Sequence, residues 1–189
     1  SANFFGFSHN NKIVNQNYLN YNDDIWVTGN IGDSKVGLNI LKNKIEVKNK
    51  SINNYFLNKY YFPKPCLIGS NMSQYVKSMK DISDGFLGDL NKMLDSKYGA
   101  KISLEKIPLS VKLRNLLKRN NLKIESYINS GDDYELIIIS SRKYRDKIMS
   151  IAKKNKVKVS RVGKIVKNLG IYDDSNNTLN ISREFEHFL

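Results

Sequence analysis

The residues best suited to chemistry are Asp81-Ile82-Ser83-Asp84-Gly85, which place two carboxylates and a hydroxyl within four positions. Carboxylate oxygens are the ligands Mg²⁺ prefers, and it usually takes one or two of them alongside phosphate oxygens and water. The segment lies between a short apolar run around Met79 and an amphipathic stretch opening at Phe86, so it reads as a strand-to-helix turn. A helix start there would add backbone N–H groups and a positive dipole end, both suited to phosphate. The same residues also suit a plain helix cap, with Ser83 or Asp84 as the capping side chain. A cap needs one oxygen-bearing side chain and three are present. Both readings stand at this point.

A second acidic cluster, Gly131-Asp132-Asp133-Tyr134-Glu135, sits at the mouth of a strongly apolar run. Three carboxylates this close repel unless backbone N–H groups, lysines, a metal or a cationic ligand offset them. An Asp-rich turn is the plainer reading. Gly29-Asn30-Ile31-Gly32-Asp33-Ser34 resembles a phosphate loop only superficially, because it lacks the Gly-Lys-Ser/Thr ending. It reads as a tight turn with Asp33 or Ser34 as the N-cap of a helix through about Leu41. His9 and His187 are isolated, and no Ser/His/Asp or Cys/His nucleophile pattern is present.

The elements that must position these residues alternate between strand and helix. Ile25 to Thr28 reads as a strand ended by Gly29. Ile52 to Tyr60 reads as a helix ended by Pro63 and Pro65, and Cys66 to Val76 as a further helix. Phe86, Leu87, Leu90, Met93 and Leu94 make the best amphipathic helix, closed by Gly99. Lys101 to Leu104 alternates as a strand, and Pro108-Leu109-Ser110 leads into a basic helix carrying Val111, Leu113, Leu116 and Leu117. Tyr134 to Ile139 is the strongest strand and is expected in the middle of the sheet. Tyr144 to Lys154 reads as a helix, Val157 to Val166 as a strand interrupted at Gly163, and the tail from Ile171 as a short hairpin. Phe4 to Phe7 reads as the end of a strand. The pattern predicts a mixed sheet covered by helices.

The 189 residues suffice for one domain with a proper core, and 40% hydrophobic with 26% charged residues is a globular composition. No apolar run approaches the ~20 residues of a membrane span, and Asn3 to Phe7 is too short for a signal peptide. A single cysteine, Cys66, allows no internal disulfide and reads as a small packed side chain, so a cytoplasmic location is expected. The net charge of +13 invites a nucleic-acid reading. The lysines are spread along the whole length, however, with no recognition helix, zinc spacing or aromatic RNA-binding signature. Nucleic acid therefore ranks last among the expected partners, and no membrane association is expected.

Taken in order, these segments resemble thiamine-monophosphate kinases, of the superfamily that includes aminoimidazole ribonucleotide synthetase. The resemblance runs through Asp24 to Ser34 with Gly37-Leu38, Asp81 to Leu90, Ile107 to Ser110, Ser130 to Leu136, Val162-Gly163 and Phe185 to Phe188. It implies an α+β fold with three layers, α/β/α, around a mixed sheet. It implies transfer of the γ-phosphoryl group of ATP to thiamine monophosphate, with Mg²⁺ held by Asp81 and Asp84 and the nucleotide phosphates contacted by Ser83. Asp132 and Phe185 would contact thiamine monophosphate. By the same resemblance, residues 1–23 are the end of an N-terminal domain and a connector, and 24–189 the C-terminal domain. The rest of the ATP site and a homodimer interface would belong to the missing N-terminal domain, leaving the isolated chain inactive. Two positions depart from the pattern: Gln16 stands where the family usually has arginine, and Asp132 where it usually has glutamate. These leave open a diverged member acting on another phosphorylated substrate, or a non-catalytic nucleotide-binding remnant.

Overall fold

The computed structural model describes residue 14 and residues 19–180. Phe4 to Phe7, Gln16 and Phe185 to Leu189 lie outside the described residues. The elements in chain order are β1 (Asp24–Thr28), α1 (Asp33–Leu41), α2 (Lys50–Tyr61), α3 (Gly69–Met72), β2 (Ser78–Asp81), α4 (Phe86–Met93) and β3 (Gly99–Ile102). They continue with α5 (Val111–Arg119), α6 (Glu125–Ile128), β4 (Leu136–Ser140), α7 (Arg145–Lys154), β5 (Val159–Val166) and β6 (Ile171–Tyr172).

The strands form one mixed sheet in the order β2-β4-β1-β5-β3-β6. All neighbours are antiparallel except β3 and β6. Side chains of a strand alternate between faces, and here each face has its own core. Ile25, Val27, Ile137 and Ile139 pack with Phe56, Phe86, Leu90 and Leu113 in the larger core. Trp26 and Ile138 point the other way, onto Met72, Ile148 and Ala152 of α3 and α7. Helices therefore cover both faces, the three-layer α/β/α arrangement. The β4 residues Ile137 to Ser140 are buried because its edges are paired with β1 and β2 while the two cores cover its faces, Ile137 and Ile139 on one side and Ile138 on the other.

Local structure departs from the sequence pattern at five places. The N-cap of α1 is Gly32 at φ 88°, with Asp33 and Ser34 already inside the helix, because both side chains are drawn away into tertiary contacts. Of the stretch Cys66 to Val76 only Gly69–Met72 is helical. Cys66 instead lies outside any helix, its N–H donating to the Tyr134 carbonyl at 3.0 Å. The amphipathic helix stops at Met93 with Leu94 extended, and Gly99 opens β3 rather than closing the helix. Gly85 caps α4, with no help from the side chains of Ser83 or Asp84. Finally, β5 runs unbroken through Gly163, and the irregularity expresses itself as a register shift opposite Ile25/Trp26.

Candidate functional site

Three loops meet at the end of the sheet where β1 and β2 finish and β4 begins. The 81–85 and 131–135 segments are laced together beyond the ends of β2 and β4. The Ile82 N–H donates to the Glu135 carbonyl (2.8 Å), the Tyr134 N–H to the Ile82 carbonyl (3.0 Å), and the Asp132 N–H to the Ser83 carbonyl (3.1 Å). The approach is so close that a Cβ on Gly131 would collide with the Ser83 carbonyl oxygen, so only glycine fits. Asp132 and Tyr134 adopt left-handed backbone angles, φ 68° and 51°. Such strain in non-glycine residues persists only where surrounding structure imposes it.

The third loop, 29–34, answers how three neighbouring carboxylates coexist. Asp133 turns inward and accepts from the Gly32 N–H (2.7 Å) and the Ser34 hydroxyl (2.9 Å), and Ser34 also reaches the Gly131 carbonyl (3.0 Å). Glu135 accepts from the Thr28 hydroxyl at 2.5 Å, while Thr28 Oγ1 accepts from the Leu136 N–H at 2.8 Å. A Cβ on Gly29 (φ 54°) would overlap the Glu135 carboxylate. Removal from water raises the Asp133 carboxyl to about 7, against the lowering effect of its donors. The same cause raises Glu135. Behind them Asp33 is buried, accepting from Tyr55 Oη (2.6 Å) and Ser110 Oγ (2.7 Å), and burial raises its pKa too. Ser110 also caps α5 by accepting from the Leu113 N–H. Two of the three carboxylates in the 131–135 cluster are thus construction elements.

Asp81 is exposed, and Ser83, Asp84 and Asp132 are half-buried. Tyr134 links the two motifs: the Asp132 charge first, then burial, and also the Asp81 charge, push its phenol above the usual range. Its hydroxyl stands 3.4 Å from Asp132 Oδ1. The sequence-predicted residues Asp81, Ser83, Asp84 and Asp132 therefore share one rim. Phe185 lies outside the described residues.

One residue that sequence reasoning assigned no role organises this rim. Asp89 of α4 is completely buried, and its Oδ2 accepts from the N–H groups of both Ser83 (2.9 Å) and Asp84 (2.8 Å). Those two N–H groups therefore point inward and are not offered to a phosphate. Lys92 Nζ lies 3.3 Å and Lys80 Nζ 3.6 Å from Asp89 Oδ1, and Lys92 also ion-pairs with Asp84. The Asp84 contact is the main cause raising the Lys92 pKa. The available signal was an aspartate in the buried stripe of α4, among Phe86, Leu87, Leu90 and Met93. A charge there must hold something in place.

Among the described residues no three His, Cys, Asp or Glu side chains converge as a metal cage. Asp81 and Asp84 do fit Mg²⁺ shared with phosphate. They are oxygen donors at an accessible rim, and the Lys92 ammonium on Asp84 shows the carboxylate already attracting a cation. Among the described residues no helix is long and apolar enough to cross a membrane.

A three-layer α+β domain with an acidic rim at one end of a mixed sheet is the class that fold and site define. The chain belongs to the family of AIR synthase related proteins, C-terminal domain, which matches residues 22–173. It is similar to the thiamine-monophosphate kinase of Buchnera aphidicola subsp. Acyrthosiphon pisum (strain APS), at 36% identity over 175 residues, covering 89% of this chain and 54% of the relative. The thiamine-monophosphate kinase structure from Stenotrophomonas maltophilia K279a superposes with a TM-score of 0.77 at 25% identity, covering 87% of this chain and 54% of that one. AaThiL complexed with AMPPCP and TMP has a TM-score of 0.73 at 22% identity, covering 88% of this chain and 52% of that one. The chain spans about half the length of the curated relatives it matches.

Proposed function

We propose that this chain supplies one wall of the active site of a thiamine-monophosphate kinase, ATP being the phosphoryl donor and thiamine diphosphate the product. The observation that carries the reading is the lacing of 81–85 to 131–135, which sets Asp81, Ser83, Asp84 and Asp132 on one rim while turning Asp133 and Glu135 inward. Support comes from relatives named thiamine-monophosphate kinase at 36% and 35% identity, and from the same fold in a protein that holds AMPPCP and TMP.

In this reading an oxygen of the acceptor phosphate attacks the γ-phosphorus of ATP, the bond to the β-phosphate oxygen breaks, and ADP leaves. The acceptor is already an oxyanion, so positioning and charge neutralisation supply the catalysis. Asp81 and Asp84 would hold Mg²⁺, which when bound neutralises charge on the phosphates. The Ser83 hydroxyl would contact the nucleotide phosphates. Asp132 would orient thiamine monophosphate, and Phe185 would lie against it. Asp89 keeps the backbone of 83–84 in place, and Lys92 occupies the Asp84 carboxylate as a cation that Mg²⁺ would displace. In this reading the remaining nucleotide contacts and a homodimer interface would belong to the part of the relatives this chain does not match, with residues 1–23 as the end of an N-terminal domain and a connector, and 24–189 as the C-terminal domain.

The test is thiamine diphosphate formation from ATP, thiamine monophosphate and Mg²⁺ by the complete gene product, with this chain alone as comparison. Turnover by the first and weak binding without useful turnover by the second are expected. Turnover of another phosphorylated acceptor but not thiamine monophosphate would favour the diverged-member reading, which the shorter Asp132 motivates. ATP binding with no turnover of any acceptor would favour the non-catalytic remnant.

A further inference from the structure

The opposite end of the sheet carries a pocket of the other sign. β1 separates the two: Thr28 abuts the acidic rim, whereas Asp24 lies about 13 Å of strand away, at ~3.3 Å per residue. Around Asp24 an open pocket of about 280 Å³ is lined by Lys101, Lys106, Arg142, Arg145, Arg161 and Lys164, against only Asp24 and Asp174. These cations come from β3, β5, the chain after β3, the segment between β4 and α7, and the first residue of α7.

The topology explains the gathering. Ala100 and Ile102 of β3 and Val162 and Ile165 of β5 enter the larger core, so Lys101, Arg161 and Lys164 project from the other face. On that face α3 and α7 pack over Trp26 and Ile138, on the β1–β4 side. The β5–β3 strip beside them carries cations instead of an apolar core.

The pocket is also built. The Asp24 carboxylate, 3% exposed, accepts a two-pronged contact from Arg145, Nε at 2.6 Å and Nη2 at 2.7 Å, with Arg161 Nη1 at 3.6 Å. Arg142 Nε donates to the Asn22 carbonyl (3.0 Å), and Lys101 Nζ to Asn176 Oδ1 (2.8 Å). Lys106 and Lys164 have no carboxylate partner among the described residues. One buried carboxylate therefore orders two guanidiniums while offsetting a single charge. Convergent, pre-ordered cations left with excess positive charge favour an anion that spans them.

We propose that this pocket binds a small polyanion carrying adjacent phosphate groups, separately from the acidic rim. The volume lies at the low end for ligand pockets, which suits a diphosphate unit rather than a large ligand. Arginine guanidiniums match phosphate oxygens, and although Asp24 takes the Arg145 fork, Arg161 and the outer nitrogens of Arg142 stand with Lys106 and Lys164 to face an anion.

The probe is inorganic pyrophosphate, titrated into this chain at low salt with EDTA present, so that no metal recruits it to Asp81 and Asp84. Saturable one-site binding is expected, with NMR amide shifts at Gly163 and Lys164 and not at Gly85 or Gly131. The double variant R161A/K164A removes two accessible cations and should weaken binding about tenfold or more, while K118A/R119A on α5 leaves it unchanged. Equal weakening by both pairs, shifts confined to Gly85 and Gly131, or no saturable binding would overturn the proposal. So would an equally charged single-stranded oligonucleotide binding the same residues a hundredfold tighter, which would assign the surface to nucleic acid. ATP and pyrophosphate compared at equal concentration distinguish a nucleotide from a free phosphate source.

Discussion

The two ends of the central sheet treat excess charge in opposite ways. At the end where 81–85 meets 131–135, carboxylates outnumber cations, and the fold separates them by direction. Asp133, Glu135 and Asp33 turn inward onto neutral donors, while Asp81, Asp84 and Asp132 stay at the rim. At the Asp24 end six cations face two carboxylates, and the one buried carboxylate gathers two of them. The contrast teaches that like charges are tolerated where each inward group has a preformed partner, and that the outward remainder is what a ligand meets. In a chain of net charge +13, an acidic rim had to be assembled against the average. The basic pocket did not, which is why its ordering by Asp24, rather than its charge, is the informative feature.

The largest expected effect comes from removing an outward charge at the acidic end. Asp84→Asn in the complete gene product should lower thiamine diphosphate formation by about 10²-fold or more while the melting temperature is kept. Near-normal rates measured in that variant would remove Asp84 from the phosphate–metal role and erase the functional asymmetry between the ends. Gly131→Ala attacks the lacing instead. The added methyl meets the Ser83 carbonyl, so denaturant unfolding should show a loss of about 2 kcal/mol or more, accompanied by weaker substrate binding. Unchanged stability would mean the two loops are less tightly joined than their hydrogen bonds indicate.

Inward carboxylates make a pH prediction. The Asp133 pKa in the folded chain, about 7, lies above its unfolded value, so protonation favours folding. This contribution is fully present below pH ~4 and is lost as pH rises through about 7, with a slope of at most ~1.4 kcal/mol per pH unit. Unfolding free energies between pH 5 and 8 should therefore fall more steeply in the wild type than in Asp133→Asn. Parallel curves would show that the carboxyl is as well solvated as an ordinary one. The smallest effect is expected for Lys92→Ala. Its pair with Asp84 is solvent-exposed, and the buried Asp89 that it also reaches keeps Lys80 and two backbone donors, so stability should change by less than about 1 kcal/mol. Mg²⁺ affinity, read by calorimetry in the complete gene product, should stay level or rise once a competing cation is gone. A fall would make Lys92 a supporting residue of the site and not a competitor.

Periodicity served where burial is one-sided or complete. The short apolar runs Ile25 to Thr28 and Tyr134 to Ile139 and the stripe Phe86-Leu87-Leu90-Met93 all became the element types expected, because each pattern reports the surface that must leave water. It failed where a residue's partner is distant in the chain. Asp33 and Ser34 resemble capping residues, yet both bond across the fold, to Tyr55 and Ser110 and to Asp133 and Gly131. Cys66 to Val76 has helical spacing, but the backbone of Cys66 is claimed by Tyr134. Asp89 had a local signal, a carboxylate in an apolar stripe, though nothing local could say which N–H groups it holds.

The sequence by itself determined the strands and helices whose apolar faces are periodic. It also determined the two motifs whose resemblance pointed to phosphoryl chemistry, since residue type and order suffice for both. Tertiary structure alone decided which carboxylates stay at the rim and which are fasteners. Asp132 and Asp133 are adjacent and chemically identical, yet their carboxylates part company. The direction of a side chain is set by the donors opposite it, and the Gly32 N–H and Ser34 hydroxyl come from the N-cap and first turn of α1, about a hundred residues earlier. The same holds for Asp24 and the arginines at the other end. Their meeting is a property of strand order, which no local spacing encodes.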